Sequence, residues 1–246
     1  MGCASREVNI PAVLSEAEQA RITTIGVVSA RFPPEVKLIL PAKGALEGAG
    51  EGAKAGAAIG AAPSLGILAA AGAVVGAIMG TFYGVFAAEP AVTIEEAETT
   101  LENAIVELKI RERLQQSLLQ EAREKTDYSF LRITELGPTA SDENVVYSHQ
   151  GLGAIEAILE TSVLSFGLTA TSMGPNPQLA VFMMVRVRLI ALDDDSEFYD
   201  EMLGFQTDSY EYTHWCDDDG QRFLAGIEEG YQKLSHQIVY ELFLRH

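Results

Sequence analysis

Four histidines and two cysteines, set among many carboxylates, are the residues of this chain with types suited to chemistry. The histidines are His149, His214, His236 and His246; the cysteines are Cys3 and Cys216. The densest group is His214-Trp215-Cys216-Asp217. A zinc centre needs three or four Cys, His or carboxylate ligands, usually as paired motifs at fixed spacing, and no second Cys/His pair accompanies this one. The simpler reading is a strand-to-helix junction, a packed Trp followed by an acidic helix start. A calcium loop counted from Asp217 finds Asp219 and Glu228 in register but has Arg222 where its sharp turn needs glycine. Gly151-Leu152-Gly153 lacks the third glycine of a dinucleotide fingerprint. Neither a Gly-x-Ser-x-Gly nucleophile elbow nor a Walker phosphate loop occurs. The expectation is a non-enzymatic chain with no metal and no cofactor.

Cys3 offers a different chemistry. The chain opens Met1-Gly2-Cys3-Ala4-Ser5, with no charged stretch and apolar core ahead of the cysteine. Gly2-Cys3 matches the end of a bacterial lipobox whose leader has been removed or replaced by Met1, and Cys3 would then carry the lipid. A eukaryotic start for myristoylation and palmitoylation wants Ser or Thr where this chain has Arg6. The third reading is an ordinary thiol in a loose tail. Cys3 and Cys216 alone make no disulfide framework.

The bulk composition narrows the class. Thirty-five acids against 17 bases leave a net charge of −18, which repels phosphate backbones and argues against nucleic acid as a partner. The acids are spread over turns and helix faces, as on a solvated surface. Nearly half of the 246 residues are apolar, enough for one large domain or a domain of about 150 residues with an appendage.

The strongest pattern is a glycine ladder. Residues 44–88 hold 11 of the 22 glycines. Gly44, Gly48, Gly52, Gly56 and Gly60 recur every fourth residue, and after Pro63 the spacing returns at Gly72, Gly76, Gly80 and Gly84. In water each glycine costs a helix about 1 kcal/mol relative to alanine. In a bilayer the backbone must satisfy its own hydrogen bonds, and glycine at this spacing opens a groove in which a second helix packs closely. Residues 55–88 carry no charge, and 64–88 are 25 residues, at about 1.5 Å each long enough to cross a hydrocarbon core of about 30 Å. The half from Gly44 to Gly60 is amphipathic at its start through Glu47, Glu51 and Lys54. Pro63-Ser64 is a natural hairpin point. The alternatives are a linker, which would be richer in Ser and poorer in Leu, Val and Phe, and a helical hairpin buried in a globular protein.

Around the ladder the patterns are those of a water-facing domain. Residues 1–20 read as a tether. Residues 22–31 read as a buried strand ended by Pro33-Pro34, and Val36 to Leu40 as a second short one. Residues 90–125 read as one amphipathic helix opened by a Thr93/Glu96 capping box, with Ile94, Ala97, Leu101, Ile105 and Leu108 on one face and Leu118 and Ala122 extending it. Strands follow at Tyr128 to Leu136, Ala157 to Leu168, Leu179 to Leu192 and Phe198 to Gln206, the last two joined by a turn at Asp193-Asp194-Asp195-Ser196. Arg186 and Arg188 alternate with Val185, Val187 and Leu189 as the polar face of their strand. Residues 217–245 read as a terminal helix, with Leu224, Ile227, Tyr231, Leu234, Ile238 and Leu242 in its apolar stripe. The predicted fold class is α+β: an antiparallel or mixed sheet with two long helices on one face, plus an inserted Gly/Ala-rich helical hairpin. The organisation is 1–20 tether, 21–43 first strands, 44–88 glycine ladder and 89–246 remainder of the domain.

Residues 44–84 resemble the glycine-zipper segments of bacterial outer-membrane lipoproteins. The remainder resembles the envelope domains of the curli-secretion lipoprotein, penicillin-binding-protein activator and TolB N-terminal type. Thr24-Ile25-Gly26-Val27-Val28, Ala157 to Val163 leading to Gly167, Leu179 to Leu192 with the Asp193-Asp194-Asp195 turn, Glu197-Phe198-Tyr199 and the Ile227 to Leu242 helix carry that resemblance. It implies a lipoprotein of the bacterial cell envelope, at the outer membrane facing the periplasm, and no family site residue transfers. The function expected is structural or partner-binding, with membrane contact, self-association through the ladder and an envelope protein as partner. The alternative is a homo-oligomeric pore or secretion-complex subunit.

Overall fold

The computed structural model describes residues 21–30, 36–39, 99–101, 108–134, 152–170 and 178–245. Its strands are β1 (Thr24–Ser29), β2 (Lys37–Ile39), β3 (Ser129–Ile133), β4 (Ala157–Ala170), β5 (Leu179–Ala191) and β6 (Glu197–Tyr210). Its helices are α1 (Ile110–Lys125), α2 (Tyr212–Trp215) and α3 (Asp217–Val239), the last followed by a wide helical turn over Tyr240–Leu244. None of these helices is long and apolar enough to cross a membrane.

Five strands lie in the order β3-β1-β4-β5-β6, and β2 pairs with β4 off that path. The sheet is mixed. β1 runs parallel to β3 and β4, β2 runs parallel to β4, and β4-β5-β6 form an antiparallel meander. β1 takes Ala157–Thr161 of β4 and β2 takes Ser165–Gly167. Because β5 occupies the whole opposite edge, the two short strands share one edge of β4, end to end. Of the two sheet types expected, antiparallel or mixed, the structure has the mixed one. A parallel neighbour needs a crossover connection, and the stretch between β1 and β3 contains α1.

Successive side chains of β4 and β5 point to opposite faces of the sheet. Leu159, Val163, Val181, Val185, Val187 and Leu189 share one core with Leu114 and Leu118 of α1 and Phe223, Ile227 and Leu234 of α3, so both helices lie on the same face. Gln115 of α1 is 3% exposed and donates Nε2 to the carbonyls of Val27 (2.8 Å) and Ile133 (3.1 Å), fastening the helix across β1 and β3. On the other face Val28, Leu152, Ile158, Ile190 and Leu192 make a smaller apolar cluster. Gly26 makes room for Ile133, whose Cδ1 a side chain there would overlap, with Ile158 and Ile155 close by at 3.1 and 3.2 Å from the Cβ position.

Two expectations shift in phase. The helix read over residues 90–125 is broken. Residues 99–101 are helical, but Lys109 has φ −79 and ψ 66, and Ile110 N–H donates to the Leu108 carbonyl at 2.9 Å. That is an inverse γ-turn. It separates the Leu101 stripe from a new one at Ile110, Leu114, Leu118 and Ala122. In α3 the expected acidic opening turn is left-handed at Asp218, Asp219 and Gly220, the conformation that Asp and Gly tolerate best. The regular helix begins beyond them, and its stripe starts at Phe223, fully buried, while Leu224 is half-buried.

α3 approaches the sheet through Gly226 and Gly230. A Cβ at Gly226 would stand 3.1 Å from Val181 Cγ2, and one at Gly230 would stand 2.9 Å from Phe205 Cδ1. Gly226→Val is expected to lower stability by about 1–3 kcal/mol through overpacking, read as a lower urea midpoint with an unchanged slope; an unaltered midpoint would refute the close approach.

Candidate functional site

Cys3 and the ladder glycines Gly44, Gly48, Gly52, Gly56, Gly60, Gly72, Gly76, Gly80 and Gly84 lie outside the described residues, as do His149 and His246. The His214-Trp215-Cys216-Asp217 group is described, and its side chains diverge. Trp215 is 2% exposed and donates its indole N–H to the Leu179 carbonyl at 2.9 Å, closing the end of β5. Cys216 turns inward and donates Sγ–H to the Tyr212 carbonyl at 3.6 Å. Its burial first, and the Asp217 charge second, push the thiol up to about 11. His214 Nε2 and Asp217 Oδ2 stay near solvent, 3.7 Å apart. Among the described residues no three His, Cys, Asp or Glu side chains converge on a point that could hold a metal ion. The group is the joint between β6 and α3, through the short α2.

A second cluster was hidden in the sequence. Arg188, read there as part of a polar face, is 5% exposed and Glu160 is 2% exposed. Arg188 Nη2 stands 2.7 Å and Nε 2.9 Å from Glu160 Oε1, and Nη1 stands 3.0 Å from Glu197 Oε1. One turn of the pleat away, Arg186 grips Asp200 with two bonds of 2.7 Å; that bidentate grip raises the Arg186 pKa. The two arginines and three carboxylates tie β4, β5 and β6 together across the face opposite the helices. Each guanidinium fork is matched to carboxylate oxygens, the geometry of a static cross-link. A signal for the pairing existed: Glu160 precedes the end of β4 by about as many residues as Arg188 follows the start of β5. The missing unit is the register shift between Val163 and Ser165, which leaves Leu164 without a partner.

The third feature is a cleft. Among the described residues β6 ends the sheet, and its distal half from Gly204 to Tyr210 faces α3 across a space of about 560 Å³. Phe205, Asp208 and Tyr210 stand on the strand side, and Arg222, Gly226 and Lys233 on the helix side. At the far end Arg222 lies 5.4 Å over the Tyr210 ring, and Tyr210 meets Trp215 edge-on at 5.3 Å. The opposite end of β6 is tied to the C-terminal turn where the Tyr199 hydroxyl donates to Glu241 Oε2 at 2.8 Å. Of the three places this one is open, and among the described residues it is bordered by the last strand of the sheet. Strand periodicity pointed to β6 only as far as Gln206; the register shift between Ala180 and Phe182 breaks the alternation beyond it.

Arg188→Met is expected to destabilise the protein by about 3–5 kcal/mol, because it strands the buried Glu160 carboxylate, whereas Glu160→Met with Arg188→Met restores most of the loss. Equal urea midpoints for the single and double variants would contradict the buried pairing. Cys216 is expected to alkylate far more slowly in the native protein than in denaturant at about pH 8, since the thiolate is the reactive form, with peptide mapping separating it from Cys3. Equal rates in both states would show an exposed thiol.

No protein-family model matches the chain, and no curated protein does. Among solved structures the chain is similar to the hypothetical protein CT253 from Chlamydia trachomatis, at 13% identity over 57% of this chain and 89% of that one, with a TM-score of 0.37.

Proposed function

We propose that this protein is a non-enzymatic lipoprotein of the bacterial cell envelope, a partner-binding domain held at the membrane by an acylated Cys3 and by the glycine ladder folded as a helical hairpin. The observation that carries the reading is the position of the ladder in the sequence, between strands of one sheet. β1 and β2 precede residues 44–88, β3 and β4 follow them, and all four strands belong to one sheet. Leu101, beyond the ladder, is fully buried in the same core as Ile25 and Val27 before it. Strands on both sides of the ladder in the sequence thus belong to one folded unit.

The physics of anchoring supports two elements. A single acyl chain holds a protein to a bilayer only marginally and reversibly, so a lipidated chain needs a second attachment to stay. An uncharged stretch from a folded domain supplies apolar contact, and glycine at every fourth position lets its helices pack where no hydrophobic force drives them together. The domain outside it carries the acidic charge and the open β6 edge.

Two variants separate the anchors in a bacterial host: Cys3→Ser, and residues 44–88 replaced by a short Gly/Ser linker. The parent protein is expected to stay with membranes in alkaline carbonate, each variant to be partly released, and the combination to be fully released with unchanged circular dichroism of the sheet and helices. Release of the parent by high salt or carbonate alone would sink the proposal, as would an unmodified Cys3 in the N-terminal peptide of the membrane-bound protein.

A further inference from the structure

β6 is 14 residues long and ends the sheet. From Phe198 to Tyr210 no backbone hydrogen bond reaches it, among the described residues, other than those to β5. At about 3.3 Å per residue this is an edge of roughly 45 Å whose outward N–H and C=O groups meet no other strand among the described residues, the Asp208 carbonyl accepting only from the Thr207 hydroxyl at 2.8 Å; such an edge is a template for a further extended chain. Its distal half borders the cleft beside α3. An edge strand with a helix alongside suits a peptide added as one more strand: the main chain pairs with the edge, and alternate side chains reach into the groove.

Charge indicates which chain. β6 carries Glu197, Asp200, Glu201 and Asp208 and no lysine or arginine. Glu197 and Asp200 are answered internally by Arg188 and Arg186. Glu201 and Asp208 meet no cation within ion-pair distance among the described residues. Burial, then the neighbouring Asp200 and Glu241 carboxylates, hold Glu201 above the usual carboxylate range, so a cation brought beside it is favoured. The helix wall carries both signs, Arg222 and Lys233 with Glu229 between them, which leaves the preference to the strand. A second copy pairing β6 against β6 would set acid beside acid, an unfavourable cross-strand arrangement.

We infer that the free edge of β6 and the cleft between it and α3 receive an extended cationic segment of another protein by strand addition, with its apolar residues over Phe205 and Gly226 and its basic residues beside Asp208 and Glu201. This deepens the partner-binding half of the function proposed above.

The probe is a fluorescent, N-acetylated peptide of alternating valine and lysine, titrated against the full chain. Its controls alternate valine with glutamate, or carry N-methyl groups on alternate peptide nitrogens. The lysine peptide is expected to bind at least about tenfold more tightly than the glutamate peptide, to weaken severalfold between low and high salt, and to slow amide exchange at Phe205–Tyr210. The N-methylated peptide is expected not to bind, because its main chain cannot pair. Asp208→Lys should weaken binding about tenfold, and Ala225→Trp, an exposed position on the helix wall, should abolish it while leaving the urea midpoint unchanged. Equal binding of the N-methylated peptide would reduce the interaction to charge adhesion and overturn the inference. So would no binding at all, or a concentration-dependent dimer that protects the β6 amides without peptide. Failure in a chain that still sediments with membranes sinks the cleft alone, whereas binding by a chain released from membranes sinks only the anchoring.

Discussion

The structure hangs on the pairing of one strand. β4 is 14 residues long, with almost every side chain on both of its faces buried. A central strand without partners would leave its amides and carbonyls dry and unbonded, which costs far more than any single side-chain contact returns. β5 satisfies one edge over its full length, and the other edge is divided between β1 and β2. The first part of the chain is therefore essential to a sheet built mostly by the last part. Glu156 reinforces the join at its start: its Oε2 accepts from the Thr23 N–H at 2.5 Å, the Thr23 hydroxyl at 2.8 Å and the Thr24 N–H at 3.0 Å. These bonds hold that carboxyl below the usual carboxylate range.

What was legible in the sequence follows from periodicity. Apolar alternation identified β4 and β5, β-branched density identified β1, and the three aspartates identified the turn in which Asp194 Oδ1 accepts from the Ser196 N–H and hydroxyl and Asp195 takes φ 56. Periodicity carries no sign for strand direction, so the parallel pairs of β1 did not emerge from it. It also runs blind through a γ-turn such as that at Lys109, which has neither glycine nor proline to announce it. The Arg188–Glu160 pair was missed because alternation assigns a charged residue to water, whereas burial depends on what lies above the sheet. The β6–α3 cleft was missed because it is made by two elements whose adjacency is a tertiary fact.

Glycine at four-residue spacing has at least one use here that needs no membrane. Gly226 and Gly230 lie on α3 at that interval, and both bring its backbone against side chains of β5 and β6 in the folded core. The ladder has the same spacing in sequence, and its lack of charge over residues 55–88 is what distinguishes it.

The edge that β1 and β2 share also sets an order of assembly. β1 pairs with residues more than 130 positions further along the chain, and β3 can reach its place only beside β1. The β4-β5-β6 meander and α3 are joined by local contacts and close short loops, which is the fast kind of folding. During synthesis β1 precedes its partners by more than 100 residues and waits for them to follow. In the interval β1 is an exposed, β-branched, uncharged strand, the kind of segment that a holding chaperone protects and that aggregates without one.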